Sequence, residues 1–182
     1  MPFIKQIIEF NKNFVGSKQY EAFDTTKYPN KKIAILSCMD TRLTELLPAA
    51  LNLKNGDAKI IKNAGAMITH PYGSVMRSLL VAIYELGIQE VLVIAHHDCG
   101  MRGLKAPQLI KNMMDRNIPQ DKIDKVQNDG IDIHEWLHGF ENTETSVIET
   151  VKIIKTHPLI PPDVNIYGFI IDPKTGKLDR IE

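Results

Sequence analysis

The chain has 182 residues, 43% of them hydrophobic and 24% charged, the composition of an ordinary globular protein of single-domain size. Lys+Arg and Asp+Glu are both 22, so the formal net charge is zero. That excludes the overall cationic excess on which polybasic nucleic-acid binders and membrane-surface proteins depend, and no nucleic-acid or membrane partner is expected. The two cysteines, Cys38 and Cys99, are far apart in the chain, unlike a disulfide framework. Met1-Pro2-Phe3-Ile4-Lys5-Gln6 lacks the pattern of a secretory leader, and apolar runs such as Val91 to Ala95 are too short to cross a bilayer. The expectation is a cytoplasmic protein with free thiols.

Phe3, Ile7, Phe10 and Phe14 recur at helical spacing and predict an amphipathic N-terminal helix. Residues 16–32 are polar and aperiodic; a loop of that length is uncommon, so part of it is expected to be helical or to wrap a partner. Ile33-Ala34-Ile35-Leu36 reads as a strand, followed by a helix from Leu43 to Leu53 that Pro48 shortens or kinks. A second strand is expected at Ala58-Lys59-Ile60-Ile61. Val75, Leu79, Ala82, Ile83 and Leu86 share one face of the next helix, with Ser74 placed to cap it and Gly87 to end it. Val91-Leu92-Val93-Ile94 is the third strand. The first and third strands are nearly continuous in aliphatic residues, as in a parallel sheet covered on both faces.

The stretch from Gly103 to Phe140 is longer and more polar than one crossover helix requires, and reads as a helical insertion within a single domain of residues 1–182. Val147, Val151 and Ile154 mark a last helix before His157-Pro158, and Ile166 to Ile171 is the fourth strand. The predicted fold is α/β: a four-stranded parallel sheet, order 2-1-3-4, flanked by helices with right-handed crossovers. No G-x-G-x-x-G, G-x-x-x-x-G-K-[ST] or G-x-S-x-G motif is present.

Both cysteines lie at the carboxyl ends of predicted strands. Cys38-Met39-Asp40-Thr41-Arg42 follows the first, and His96-His97-Asp98-Cys99-Gly100 follows the third. In the order 2-1-3-4 these ends are neighbours at the point where strand order reverses, the usual ligand crevice of such sheets. Two thiolates and an imidazole suit zinc, and three protein ligands leave a fourth position open. Asp40 either fills that position or turns away from it, held by the Arg42 guanidinium in a bidentate pair. Taken singly, each cysteine reads equally well as a small core residue, His96 as a hydrogen-bonded histidine, and Asp40 with Arg42 as a solvated ion pair. It is their joint occurrence at two adjacent strand ends that points to a metal.

C-x-D-x-R followed by a distant H-x-x-C resembles the β-class carbonic anhydrases, in particular the small bacterial and archaeal branch that begins the motif with C-M-D. The resemblance includes Lys62-Asn63-Ala64-Gly65-Ala66, the N-terminal helix and the helix after Gly73. It implies a zinc enzyme interconverting CO2 and bicarbonate. Cys38, His96 and Cys99 would bind the metal, and Asp40 and Arg42 would form a catalytic dyad. Zinc would generate hydroxide for attack on CO2, and two thiolate ligands would set this above neutral pH. In some members the aspartate moves onto the metal and closes the site, so Asp40 is also a candidate ligand. The family is dimeric or an assembly of dimers, with the N-terminal helix packed on the partner. The alternative for Phe3, Ile7, Phe10 and Phe14 is packing on their own domain.

Two features depart from the family pattern. Ile35 and Lys62 stand where some members carry a tryptophan and an arginine that trap bicarbonate, and Ser37 precedes Cys38 with no substrate-binding glutamine nearby. Carbonyl sulfide and carbon disulfide hydrolases share the motif, and a closed zinc site would serve a non-catalytic binding protein. A separate match, His134-Glu135-Trp136-Leu137-His138, has the H-E-x-x-H form of a zinc metallopeptidase. It lacks the metzincin continuation, and its plain reading is a short amphipathic helix with Ile133, Trp136 and Leu137 inward.

Overall fold

The computed structural model describes residues 2–182. Its centre is a five-stranded sheet of order β2-β1-β3-β4-β5, built from β1 (Ile33–Cys38), β2 (Ala58–Asn63), β3 (Glu90–His96), β4 (Asn165–Ile171) and β5 (Leu178–Arg180). The first four strands pair in parallel. Consecutive residues of a strand point to opposite faces, yet Ala34, Ile35, Leu36 and Ser37 are all fully buried. β1 is therefore covered on both sides, which is why its sequence is continuously apolar rather than alternating.

The expected four-stranded order is present, and β5 is an addition. β5 pairs antiparallel with β4 and has only three residues, too few for alternation to register. The turn before it is built by Asp172, whose Oδ1 accepts from the backbone N–H groups of Lys174 and Thr175, and by Gly176 at φ 75°.

The helices follow the apolar spacing. α2 (Leu43–Ala50) buries Leu43 and Leu47, with Pro48 inside its last turn. α3 (Ser74–Leu86) buries Met76, Leu79, Ala82 and Ile83, and ends at Gly87 in the left-handed conformation. Ser74 does not cap it. The N-cap is Gly73, with no side-chain bond, because the extended residue lies one position earlier and Ser74 is already helical. α7 (Thr143–Thr156) presents Val147, Val151 and Ile154 to the core and is capped by Asn142, whose side chain accepts from the Thr145 N–H.

Between β3 and α7 lie α4 (Ala106–Asp115), α5 (Gln120–Asn128) and α6 (Ile133–Trp136). They close over a small cluster of Ile110, Ile123 and Ile133. Trp136 does not join it: it is 57% exposed, and Leu137 packs against the cluster beside Ile133 instead. The polar stretch after α1 (Phe3–Gly16) contains a 3₁₀ turn at Gln19–Phe23, and Phe14 meets Phe23 with ring centroids 6.2 Å apart. α1 has no buried residue.

Gly168 lies where β4 meets α7. A Cβ there would stand 2.6 Å from Val147 Cγ1 and 3.2 Å from Val151 Cγ2, closer than packed carbons allow. Gly168→Ala is therefore expected to lower the unfolding free energy by about 1–3 kcal/mol, read as a lower urea midpoint. An unchanged midpoint would mean that α7 shifts without cost.

Candidate metal centre

The parallel pairing of β1 with β3 sets the loops that follow them side by side. Cys38 Sγ and Cys99 Sγ are 3.8 Å apart. This is no disulfide, whose sulfurs bond at about 2.05 Å, and both cysteines are free and buried. His96 is fully buried at the end of β3. Its Nδ1 lies 2.8 Å from the His97 carbonyl oxygen, so Nδ1–H donates there and the Nε2 lone pair faces the sulfurs. The three ligand atoms of Cys38, His96 and Cys99 lie within 4.8 Å of one another, and they form the only such group of three or more among the described residues.

This donor set fits a tetrahedral zinc. Two sulfurs each about 2.3 Å from such an ion stand about 3.8 Å apart, which is the separation found here. His96 Nε2 is buried without a hydrogen-bond partner, a costly state for a polar atom that a metal would relieve. The electrostatics agree. The neighbouring Cys99 thiol draws the Cys38 thiol far below its ordinary value, while Cys38 pushes the Cys99 thiol up. Burial opposes a charge on His96, but the Cys38 sulfur, the His97 carbonyl and Asp40 outweigh it and raise the imidazole. The cluster as a whole attracts a cation.

Asp40 and Arg42 are held by a turn rather than by extended chain. The Leu43 N–H donates to the Asp40 carbonyl over 3.1 Å, and Arg42 has helical backbone angles. This brings the two side chains together through three bonds. Asp40 Oδ1 accepts from the Arg42 backbone N–H at 2.9 Å and from Nε at 3.0 Å, and Oδ2 accepts from Nη2 at 2.8 Å. The guanidinium therefore holds the Asp40 carboxyl well below the usual carboxylate range. Asp40 Oδ2 lies 3.7 Å from His96 Nε2, beside the three donors but turned to Arg42.

Two residues not assigned a role from the sequence complete the site. Gly65 helps, through its backbone N–H, to lower the Cys38 thiol. It sits at φ 83°, and a Cβ there would press on Phe140 and Met101 at 3.1 and 3.2 Å; the signal was a glycine directly after a strand. Asp98 receives Arg42 through its carboxylate and its carbonyl. Pairing across loops leaves no trace in residue spacing.

The H-E-x-x-H segment builds no comparable cluster. His138 lies beyond the end of the four-residue α6, and His134, Glu135 and His138 are all exposed. Asp132 spends its carboxylate on capping that turn, accepting from the His134 and Glu135 N–H groups.

The family model described as carbonic anhydrase matches residues 33–178. The chain belongs to the β-class carbonic anhydrase family. It is similar to YtiB of Bacillus subtilis, a protein named provisionally as a carbonic anhydrase, with 52% identity over 181 residues that cover 100% of this chain and 97% of the relative. The crystal structure of β-carbonic anhydrase isoform I from Trichomonas vaginalis superposes with a TM-score of 0.90 at 34% identity, covering 100% of this chain and 98% of that one. The carbon disulfide hydrolase of Acidithiobacillus thiooxidans is 28% identical over 186 residues, 96% of this chain and 89% of the relative.

The sulfur assignment is open to titration in the metal-free protein. With Cys38 lowered and Cys99 raised, one thiolate per chain is expected to absorb near 240 nm at pH 6, well below the ordinary thiol value. Cys38→Ala is expected to abolish that absorbance. Its survival in the variant would give the thiolate to Cys99 instead.

Proposed function

We propose that this protein is a zinc-dependent carbonic anhydrase that reversibly hydrates CO2 to bicarbonate and a proton. Cys38, His96 and Cys99 are the metal ligands, and Asp40 and Arg42 are the catalytic dyad. The observation that carries this reading is the Arg42 fork on Asp40 with Oδ2 only 3.7 Å from the unpartnered His96 Nε2. Zinc, when bound there, supplies a Lewis acid that makes hydroxide available near or above neutrality.

The rest of the chemistry belongs to the chain. Asp40 stays ionised at every working pH because Arg42 holds it so. It therefore acts only as an acceptor, and Oδ2 holds the hydrogen of the attacking oxygen so that the lone pair faces the substrate carbon. Arg42 orients Oδ2, since a bidentate fork fixes the carboxylate relative to the guanidinium. The same hydrogen bonds favour Asp40 as dyad member over Asp40 as fourth ligand, and so favour an enzyme over a closed, non-catalytic site. The exposed single turn of α6 offers no support for a peptidase.

A second substrate class has its own support. The 28% identity to a carbon disulfide hydrolase extends over 96% of this chain, and carbon disulfide and carbonyl sulfide are linear, neutral molecules like CO2. Stopped-flow hydration of CO2 by the zinc-loaded protein is expected to exceed the buffer rate and to rise from pH 7 to 9. Asp40→Asn and Arg42→Ala are each expected to lower kcat/KM by about 10²–10³-fold while keeping one zinc per chain. Because the Asp40 carboxyl is depressed, its protonation contributes no acid limb above pH 5. Absence of CO2 hydration with turnover of carbonyl sulfide or carbon disulfide would move the assignment to those substrates.

The same proposal places residues 1–182 in one domain, with residues 103–140 as its helical insertion, in the reducing cytoplasm where paired thiols remain metal ligands. Among the described residues, no helix is long and apolar enough to cross a membrane. It also makes the protein a homodimer or an assembly of dimers. Phe3, Ile7 and Phe10 are 72%, 48% and 67% exposed on one face of α1, an apolar stripe that a single chain leaves in water. Light scattering is expected to give at least twice the chain mass of 20.6 kDa, and Ile7→Glu with Phe10→Glu to give the monomer. A monodisperse wild-type monomer at micromolar concentration would remove the dimer.

A further inference from the structure

We propose that Asp98 is a positioning residue for the Asp40–Arg42 pair, fastening the Arg42 guanidinium to the loop that carries His96 and Cys99. The inference rests on the reading of Asp40 and Arg42 as the catalytic dyad. Arg42 has five N–H donors on a rigid plane. One edge, Nε and Nη2, holds Asp40. On the remaining donors, Nη1 donates to Asp98 Oδ2 at 3.0 Å and Nη2 donates to the Asp98 carbonyl oxygen at 2.9 Å. The guanidinium is thus gripped from two loops, one after β1 and one after β3.

The backbone at Asp98 makes the second grip. Its φ is 56°, in the left-handed region that most L residues avoid and that Asp and Asn tolerate best. It is the residue directly before Cys99, so the turn that aims the carbonyl at Arg42 also sets where the Cys99 sulfur arrives. The Asp98 carboxylate itself is 86% exposed. As a lone surface ion pair it would contribute little to stability, and its role is geometric. A guanidinium held by Asp40 alone would swing with Asp40 as one unit. Held also by Asp98, it fixes the Asp40 carboxylate relative to His96, the spacing that the proposed chemistry requires.

Two variants and two readouts test this. In metal-free protein, hydrogen exchange of the Arg42 Nε–H is followed by NMR; in zinc-loaded protein, kcat/KM for CO2 is measured. Asp98→Ala removes the carboxylate and disfavours the left-handed turn. It is expected to speed exchange about tenfold and to lower kcat/KM about five- to tenfold, with zinc still at one per chain. Asp98→Asn keeps the left-handed preference and an acceptor oxygen, and is expected to restore both to within about threefold of the parent. Unchanged exchange in Asp98→Ala overturns the proposal. So does Asp98→Asn falling as far as Asp98→Ala, since no positioning would then be rescued. Should the alanine variant not fold, Asp98→Gly keeps the turn and removes only the carboxylate. Exchange about two- to threefold faster supports the grip, and unchanged exchange overturns the carboxylate's part in it. A parent protein inert toward CO2 would defeat the carbonic anhydrase reading, while the exchange measurement would still decide whether Asp98 holds Arg42.

Discussion

The pairing of β1 with β3 places two sulfurs, an imidazole nitrogen and a carboxylate in one crevice, although Cys38 and Cys99 are 61 residues apart. Parallel neighbours end on the same side of the sheet, so the loops leaving them must meet. The core holds this pairing in place. Ala34, Ile35 and Leu36 of β1 and Val91, Val93 and Ile94 of β3 are fully buried, so both strands are fixed by packing on the two faces of the sheet. The positions of Cys38 and His96 are set by that pairing before any local interaction acts on them.

Within the crevice, the structure separates two kinds of negative group. The sulfurs are buried, without a fixed cation among the described residues, and they lie 3.8 Å from one another. Asp40 has a permanent cation in Arg42. Removing Arg42 would leave Asp40, at 18% side-chain exposure, with His96 Nε2 as its nearest opposite, and would make the carboxylate a competitor for whatever occupies the sulfurs. The salt bridge therefore does more than stabilise a loop: it keeps the Asp40 carboxylate turned to Arg42 and apart from the Cys38, His96 and Cys99 cluster.

Much of this was legible in the sequence, and the boundary is physical. β1 and β3 were readable because burial on both faces requires unbroken aliphatic runs, and α3 because its buried face repeats at helical spacing. The cluster of Cys38, His96 and Cys99 was readable because both cysteines of the chain follow such runs. β5 was not, since three half-buried residues after an Asp172 turn carry no periodicity. Ser74 looked like a cap because serine suits that role, but Gly73 supplies the extended backbone one residue earlier. Trp136 looked like a core residue because helical spacing pairs it with Ile133, but Leu137, one position on, takes the place beside Ile133 and leaves Trp136 outside. The partner of Asp98 was out of reach for another reason: positive φ at a non-glycine residue and a contact from 56 residues away leave no local pattern.

The same distinction explains α1. Its spacing at Phe3, Ile7, Phe10 and Phe14 is as regular as that of α3, yet α3 buries four residues and α1 none. Periodicity reports that a face must be covered, not by what. For α3 the cover is its own sheet, which lies within the next strand's reach. For α1 the chain turns away at Ser17 and Lys18, Lys18 adopting φ 57°, and only Phe14 finds a ring to touch, that of Phe23. An apolar stripe that the covalent chain carries away from its own core gains nothing by staying in water, and folding alone cannot recover that energy. Association can, and it would do so through a helix that contributes none of the clustered residues Cys38, His96 and Cys99.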